Sequence, residues 1–315
     1  MSIKEVKKPL TYREQANLLI SRGCDVGDED VAVKILEQIN YYRLTAYFLP
    51  FKNADDTYKQ GTNLQTVYQM HEFDRELSYL LFGAVVSLEL KLRAQLAYHH
   101  AHKYGALGYT DEGNFNKRVH KHDKFLETLT TCVEHNAKHL FVKHHKKVYG
   151  GKFPLCVMVE LFTLGNLSFF YSDMKWVDKK VIAKQYNTSP QNLSSWFMCL
   201  TNLRNNCAHY SRLYNNTFAA IPATPSDFAY TLGRSVFDYI LVLKFLSVSN
   251  PDWNNSFVVQ LEALIEKYQD YIDLAHLGFP QNWLELLKSI PCTTTTAALA
   301  HTATEDNRIE TAEIT

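Results

Sequence analysis

Leu77-Ser78-Tyr79-Leu80-Leu81-Phe82-Gly83-Ala84-Val85-Val86-Ser87-Leu88-Glu89-Leu90-Lys91-Leu92-Arg93-Ala94-Gln95-Leu96 places Leu77, Leu81, Ala84, Leu88, Leu92 and Leu96 at intervals of three and four. That interval returns side chains to one side of an α-helix, so the stretch predicts a helix with one apolar face. The pattern reaches from roughly residue 64 to 103. Upstream, Thr11 with Glu14 three residues on reads as a capped helix start, and Gly23 as its end. A second helix is expected from Asp28 through Ile35, Leu36 and Ile39 toward Phe48, and residues 50–63 read as a loop or small hairpin.

Downstream, residues 105–114 form a glycine-containing turn, and 117–152 a basic helical segment ended by Gly150-Gly151. Phe153-Pro154 and Ser189-Pro190 each open a helix, with proline suited to the first turn. The first carries Val157, Leu161, Leu164, Leu167 and Phe170. The second is expected to run to Asn215, burying Leu193, Trp196, Phe197, Leu200, Leu203, Cys207, Tyr210 and Tyr214. Further helices are expected near 227–247, 255–274 and from Trp283 to Leu287. Beyond Pro291 the chain is Thr/Ala-rich and then acidic, without aromatics, a composition of disordered tails. Few segments alternate with the period of two that strands need. The reading is an all-α protein: an N-terminal helical extension (1–63), a helical core (64–250), closing helices (251–290) and a tail (291–315).

Composition narrows the function. Twelve glycines and nine prolines in 315 residues favour long helices over a turn-rich β protein. Thirty-three basic residues balance thirty-three acidic ones, so any nucleic-acid surface must be local. Six scattered cysteines without a CxxC pair argue against zinc ribbons and disulfide frameworks and fit a reduced, cytoplasmic setting. The opening MSIKEVKKPL lacks an apolar signal core, and no apolar run is long enough for a membrane span. There is no GxxxxGK[ST] loop, no HExxH and no GxGxxG after a strand.

Chemistry concentrates in Leu203-Arg204-Asn205-Asn206-Cys207-Ala208-His209-Tyr210-Ser211-Arg212-Leu213-Tyr214-Asn215. Arginine grips phosphate through a rigid fork, and histidine exchanges protons near neutral pH. On the helix expected to run to 215, Asn205, His209 and Arg212 share a stripe opposite the apolar face, with Arg204 and Asn215 at its border. The stripe has amides and arginines but neither lysine nor glutamate, the residues that fill an ordinary solvent face. A pocket there needs a cover, which a second copy of the helix would provide.

Arg204-Asn205-Asn206-Cys207-Ala208-His209 followed by Arg212 and Asn215 resembles the RN-x-x-AH-x-x-R-x-x-N signature of Abi-like (AbiD/AbiF type) abortive-infection proteins of the HEPN superfamily. Lys8-Pro9-Leu10-Thr11-Tyr12, Ile39-Asn40-Tyr41-Tyr42-Arg43-Leu44, Phe73-Asp74-Arg75-Glu76-Leu77, Glu89-Leu90-Lys91-Leu92-Arg93, Glu160-Leu161-Phe162-Thr163-Leu164-Gly165 and Gly278-Phe279-Pro280 follow in the family's order. The resemblance runs over about residues 8–290; the tail matches nothing in the family. It implies a HEPN-type helical bundle and a cofactor-free, metal-independent endoribonuclease of phage defence, often a toxin held in check by RNA or protein. It also implies a homodimer whose motifs face one another. Arg204 and His209 then carry catalysis with Asn205 assisting, and Arg212, Asn215, Glu89, Arg93 and Glu160 serve as supports.

Other segments carry competing readings. Arg93 and His99 repeat an Arg-(x)5-His spacing, but Glu89 four residues earlier makes an ion pair the simpler reading. Glu160 is either solvated at the edge of its helix or paired with a buried base near the site; the family order favours pairing. Residues 117–152 hold nine Lys or Arg against three acids, with six of thirteen histidines. Lys121, Lys124, Lys143, Lys146 and Lys147 are candidates for RNA backbone contact or a plain solvated face. Tyr42 and Arg43 are candidates for stacking on bases or packing at the core's rim. His135, His139, His144 and His145 lack a carboxylate or thiol in ligand spacing, so no metal site is expected. Two other classes stay open: a non-catalytic module holding a small RNA, and a dimerising protein–protein regulator.

Overall fold

The structure, a computed structural model, describes residues 8–247, 250 and 252–289. Among these residues it is all-α, with thirteen α-helices, short 3-10 turns, one π-helical turn (Asn254–Val258) and only isolated β-bridges. The expected tail at 291–315 lies outside the described residues.

The helices are α1 (Tyr12–Ser21), α2 (Glu29–Gln38), α3 (Tyr41–Phe48), α4 (Leu64–Tyr104), α5 (His122–His135), α6 (Leu140–Val148), α7 (Leu155–Met158), α8 (Leu164–Asp173), α9 (Trp176–Lys184), α10 (Pro190–Ala208), α11 (Val236–Leu246), α12 (Val259–Tyr268) and α13 (Trp283–Lys288). The long helix read from the leucine repeat is the axle of the fold. Asn63 caps α4 by accepting from the amides of Gln65 and Thr66, and the helix ends at Gly105. Its Leu77, Leu81, Leu92 and Leu96 are fully buried, and α3, α7, α8, α9, α10 and α12 pack along it.

Several expected helices are shorter or divided. The stretch from Asp28 toward Phe48 breaks at Ile39, because Asn40 turns its side chain onto the amide of Tyr42 and starts α3. The helix expected from Phe153 divides into α7 and α8, where Thr163 caps α8 by accepting from Asn166. Helix α9 had no strong periodicity and was not expected. It is tied to the end of α4 by Asp178, whose buried carboxylate meets His99, Lys103 and Tyr104 at 2.6–3.0 Å. Burial alone would raise this carboxyl, but its three donors outweigh that effect and hold it below the usual range.

Helix α11 is buried around its whole circumference, which explains its near-absence of polar residues. Its two charged side chains both bind neighbouring elements, Asp238 through its Oδ2 only among the described residues. Asp238 closes a capping box with Ser235, and Lys244 donates to the carbonyls of Leu286 and Ser289, fastening α13. Gly278, at φ +79°, lies so close to Ser235 that an added Cβ would sit 2.2 Å from the serine Cβ. Only glycine lets the C-terminal turn seat on the start of α11.

His100 on α4 is completely buried among the rings of Tyr104, Phe115 and Phe170, and neither ring nitrogen has a partner among the described residues. Burial pushes its imidazole down to about 4. An unfolded histidine titrates near ~6.5, so between those values only the unfolded chain takes up the proton. Stability is therefore complete above about pH 6.5 and falls by about 3 kcal/mol as the pH drops toward 4. Urea unfolding at both pH limits checks this: the acid-induced loss should shrink in His100→Phe, and equal losses in variant and parent would refute the assignment.

Candidate functional site

Helix α10 does not run to Asn215. It ends at Ala208, with His209 as its cap residue and Tyr210 at φ +52°. The amide of Tyr210 donates to Cys207 O at 3.1 Å and that of Ser211 to Asn206 O at 2.9 Å. These two bonds are a Schellman ending, with tyrosine in the left-handed position that glycine usually takes. The expected stripe therefore breaks after His209. Asn205 and His209 are exposed as read, but Tyr210, expected in the core, is about half exposed, at 49%.

What stops the helix is Asp74 of α4, almost fully buried. Its carboxylate accepts from the amide of Leu213 at 2.9 Å, the amide of Tyr214 at 2.8 Å and the hydroxyl of Tyr47 of α3 at 2.7 Å. Burial raises the Asp74 carboxyl, opposed by these donors and by nearby Arg212. Arg212 itself turns inward. It donates to Ala46 O, and its guanidinium lies 5.9 Å from the centre of the Tyr47 ring. Arg212 is thus a partner of Asp74 and α3 and does not share a face with His209.

Arg204 keeps free donors. Its guanidinium lies 5.9 Å from the centre of the Phe82 ring on α4, and among the described residues its one hydrogen bond is a 3.4 Å contact to Asn205 Oδ1. Its buried Nε has no partner. Three residues before Phe82, Tyr79 meets the Tyr210 ring edge-on at 6.3 Å. Tyr79 and Phe82 are one helical turn apart, so the same turn of α4 receives both Arg204 and the residue after His209. Arg43 completes the surround by donating to Tyr210 O. Cys207, the thiol inside the motif, is buried, and burial pushes it up to about 12, which leaves it protonated and inert.

The other candidates separate. Glu89 and Arg93 form the expected ion pair at 2.7 Å, and Arg93 also donates to Val159 O. They sit seven and eleven residues along α4 from Phe82, roughly 10–16 Å along the axis, and brace α7. Glu160 is exposed in the 3-10 turn Val159–Leu161, so it has no buried base to pair with; the break between α7 and α8 removed the helix that would have pointed it inward. Asn215, at φ +57°, leaves the motif and lines a cleft of about 470 Å³ with Tyr230, Arg234, Asp238 and His276. Its amide donates to His276 O at 3.1 Å.

Lys121, Lys124, Lys143, Lys146 and Lys147 are all exposed on or beside α5 and α6. Tyr42 is 85% exposed. The histidines of this region have separate local roles: His120 is buried between Asp173, His122 and the Phe115 ring, and His145 lies against Phe153. Among the described residues no three potential ligand groups gather around one point. Sequence reasoning missed Asp74, Tyr79 and Phe82 as parts of the site. Asp74 left one signal, an acid between Phe73 and Leu77 on the buried side of the helix.

A sequence model of the Abi-like protein family matches residues 34–215, from α2 to the end of the motif. The chain belongs to that family. No curated protein and no solved structure was found to match it. No helix among the described residues is long and apolar enough to cross a membrane.

The Asp74 clamp yields a direct expectation. Asparagine is nearly the same size but replaces one acceptor oxygen with a donor, leaving a buried amide or hydroxyl unpaired. Asp74→Asn should cost about 1–3 kcal/mol for each donor left without a partner. Hydrogen exchange should show the amides of Leu213 and Tyr214 losing protection while amides early in α10 keep theirs. Unchanged protection at 213 and 214 would contradict the clamp.

Proposed function

We propose that this member of the Abi-like family is a HEPN-type, metal-independent endoribonuclease of phage defence, working as a homodimer. One observation carries the reading. Arg204, a half-buried guanidinium with unengaged donors, rests on Phe82 of α4, and Tyr210, the residue after the exposed His209, meets Tyr79 on the same turn.

RNA supplies its own nucleophile. His209 takes the proton from a 2′-OH, whose oxygen attacks the adjacent phosphorus. The pentavalent species gathers negative charge, which the Arg204 fork stabilises through charge-assisted hydrogen bonds. The bond from phosphorus to the 5′-oxygen breaks, and the partner's His209 gives that oxygen a proton. The products are a 2′,3′-cyclic phosphate and a 5′-OH. Asn205, whose Oδ1 touches Arg204, holds the guanidinium in register.

The need for a second histidine agrees with an apolar surface beside the motif. Met198, Thr201, Asn205 and His209 recur at helical spacing along the outer side of α10. Phe169 of α8, 74% exposed, lies one turn from Gly165, which faces Thr201 across the helix pair. Met198 is 48% exposed. A copy seated on Phe169 and Met198 by a two-fold axis would carry its own His209 toward this one, since such an interface is self-complementary. The exposed lysines of α5 and α6 offer the RNA backbone a nonspecific track.

Purified protein incubated with labelled RNA in EDTA should cut it and leave cyclic phosphate ends. Arg204→Ala and His209→Ala should each lower the rate by about 10²–10⁴-fold while folding and dimerisation persist. Cleavage at a 2′-deoxy position would sink the mechanism. Tight binding without cleavage by the parent protein would favour an RNA-holding module. Phe169→Glu with Met198→Glu should shift sedimentation to the monomer and remove cleavage together; an active monomer would refute the shared site.

A further inference from the structure

The left-handed backbone at Tyr210 calls for an explanation. A Schellman ending places one residue at positive φ, and glycine or asparagine fills it with least strain. A bulky side chain there is a genuine outlier, and such outliers cluster at ligand clamps. Here several contacts hold Tyr210 in place: its own amide donates to Cys207 O and that of Ser211 to Asn206 O, the Arg43 guanidinium donates to its carbonyl, and Asp74 clamps Leu213 and Tyr214.

The ring gains little burial from this arrangement. Tyr210 is 49% exposed and its neighbour Tyr79 is 50% exposed. The two rings meet edge to face, with an interplanar angle of 88°, so one ring's face receives the other's edge while the rest of the half-exposed pair stays open to solvent. The Arg75 guanidinium lies 5.5 Å from the centre of the Tyr79 ring, held by Glu72 at 2.7 Å with Glu76 at 3.8 Å. Arg43 and Arg204 flank the same surface, and His209 directly precedes Tyr210. Open aromatic faces among arginines are what unpaired bases stack on, and the contact tolerates any base because each has a π-face. A paired base inside a duplex does not offer that face.

We infer that Tyr79 and Tyr210 form a stacking platform for one unpaired base of single-stranded RNA next to the phosphate that Arg204 grips, an inference resting on the reading of this site as RNA-directed. The platform sets a preference for single strands and positions the strand before His209.

The test uses the full-length His209→Ala protein, which leaves RNA uncut, with a short unstructured RNA carrying 2-aminopurine at one position at a time. Fluorescence should be quenched on binding at one position, and the matching duplex should bind more weakly. Tyr79→Leu and Tyr210→Gly in that background should each weaken binding about 5- to 150-fold and abolish the quenching, while Tyr79→Phe keeps both. Tyr210→Gly should melt no lower than its parent, because glycine relieves the positive φ; a purely structural tyrosine would lower the melting point instead. Unchanged affinity and quenching in both ring-removing variants would overturn the platform, even if the parent protein cleaves RNA. Quenching that depends on both rings in a protein that never cuts RNA would overturn the nuclease reading and leave the platform standing.

Discussion

The fold of the motif hangs on a buried carboxylate. Asp74 draws the amides of Leu213 and Tyr214 onto α4 and the hydroxyl of Tyr47 onto the same point, so one side chain joins α3, α4 and the segment after α10. Burying an ionised carboxylate is costly unless hydrogen bonds and a counter-charge replace its water. Two backbone amides, one hydroxyl and the nearby Arg212 supply them here. The geometry leaves these amides no place in a longer helix, so α10 must stop. Its stopping puts His209 at an exposed end, turns Arg212 inward and sends Asn215 to a different cleft.

The same clamp reaches the C-terminal part of the chain. Tyr214, fixed by its amide, accepts from the amide of Asp273 at 2.8 Å through its hydroxyl, and Asn215 bonds His276. The turn that follows closes on Gly278, which sits against the start of α11. Segments far apart in sequence are thus joined in a chain of contacts: Tyr47 of α3 to Asp74, Asp74 to the motif, and the motif to the turn that ends at Gly278.

Much of the fold was legible because local physics determined it. The leucine repeat, the Thr11–Glu14 box and the paired glycines at 150–151 act within a few residues, and each gave the helix or boundary observed. The Glu89–Arg93 pair was legible for the same reason. The misread pieces depend on partners far away in sequence. Nothing in residues 209–215 breaks a helix, since no glycine or proline occurs there. The break comes from Asp74, 139 residues earlier than Leu213. Helix α9 likewise draws its stability from a carboxylate that meets α4, and its own apolar pattern is weak. Glu160 was misread for a smaller reason: one capping threonine, Thr163, restarts the helix and leaves the glutamate in a turn.

The arginines divide by what holds them. Five arginines lie around the motif or on the stripe of α4 that faces it, and the sequence gives each the same five donors. Arg43 holds the Tyr210 carbonyl, Arg75 is held by Glu72, Arg93 by Glu89 and Val159 O, and Arg212 by Ala46 O. Arg75 and Arg212 also lie by rings, but among the described residues Arg204 alone of the five has neither a carboxylate nor a backbone carbonyl as acceptor, only a single long contact to Asn205 beside its ring. A ring supports a guanidinium by its face and leaves the edge donors free. That difference separates arginines that build the scaffold from the one able to bind an outside anion. It arises because the neighbour that Arg204 meets on α4 is Phe82, with no Glu or carbonyl beside it of the kind that holds the others. Replacing the ring with an acceptor would occupy those donors, so the apolar partner is what keeps Arg204 available.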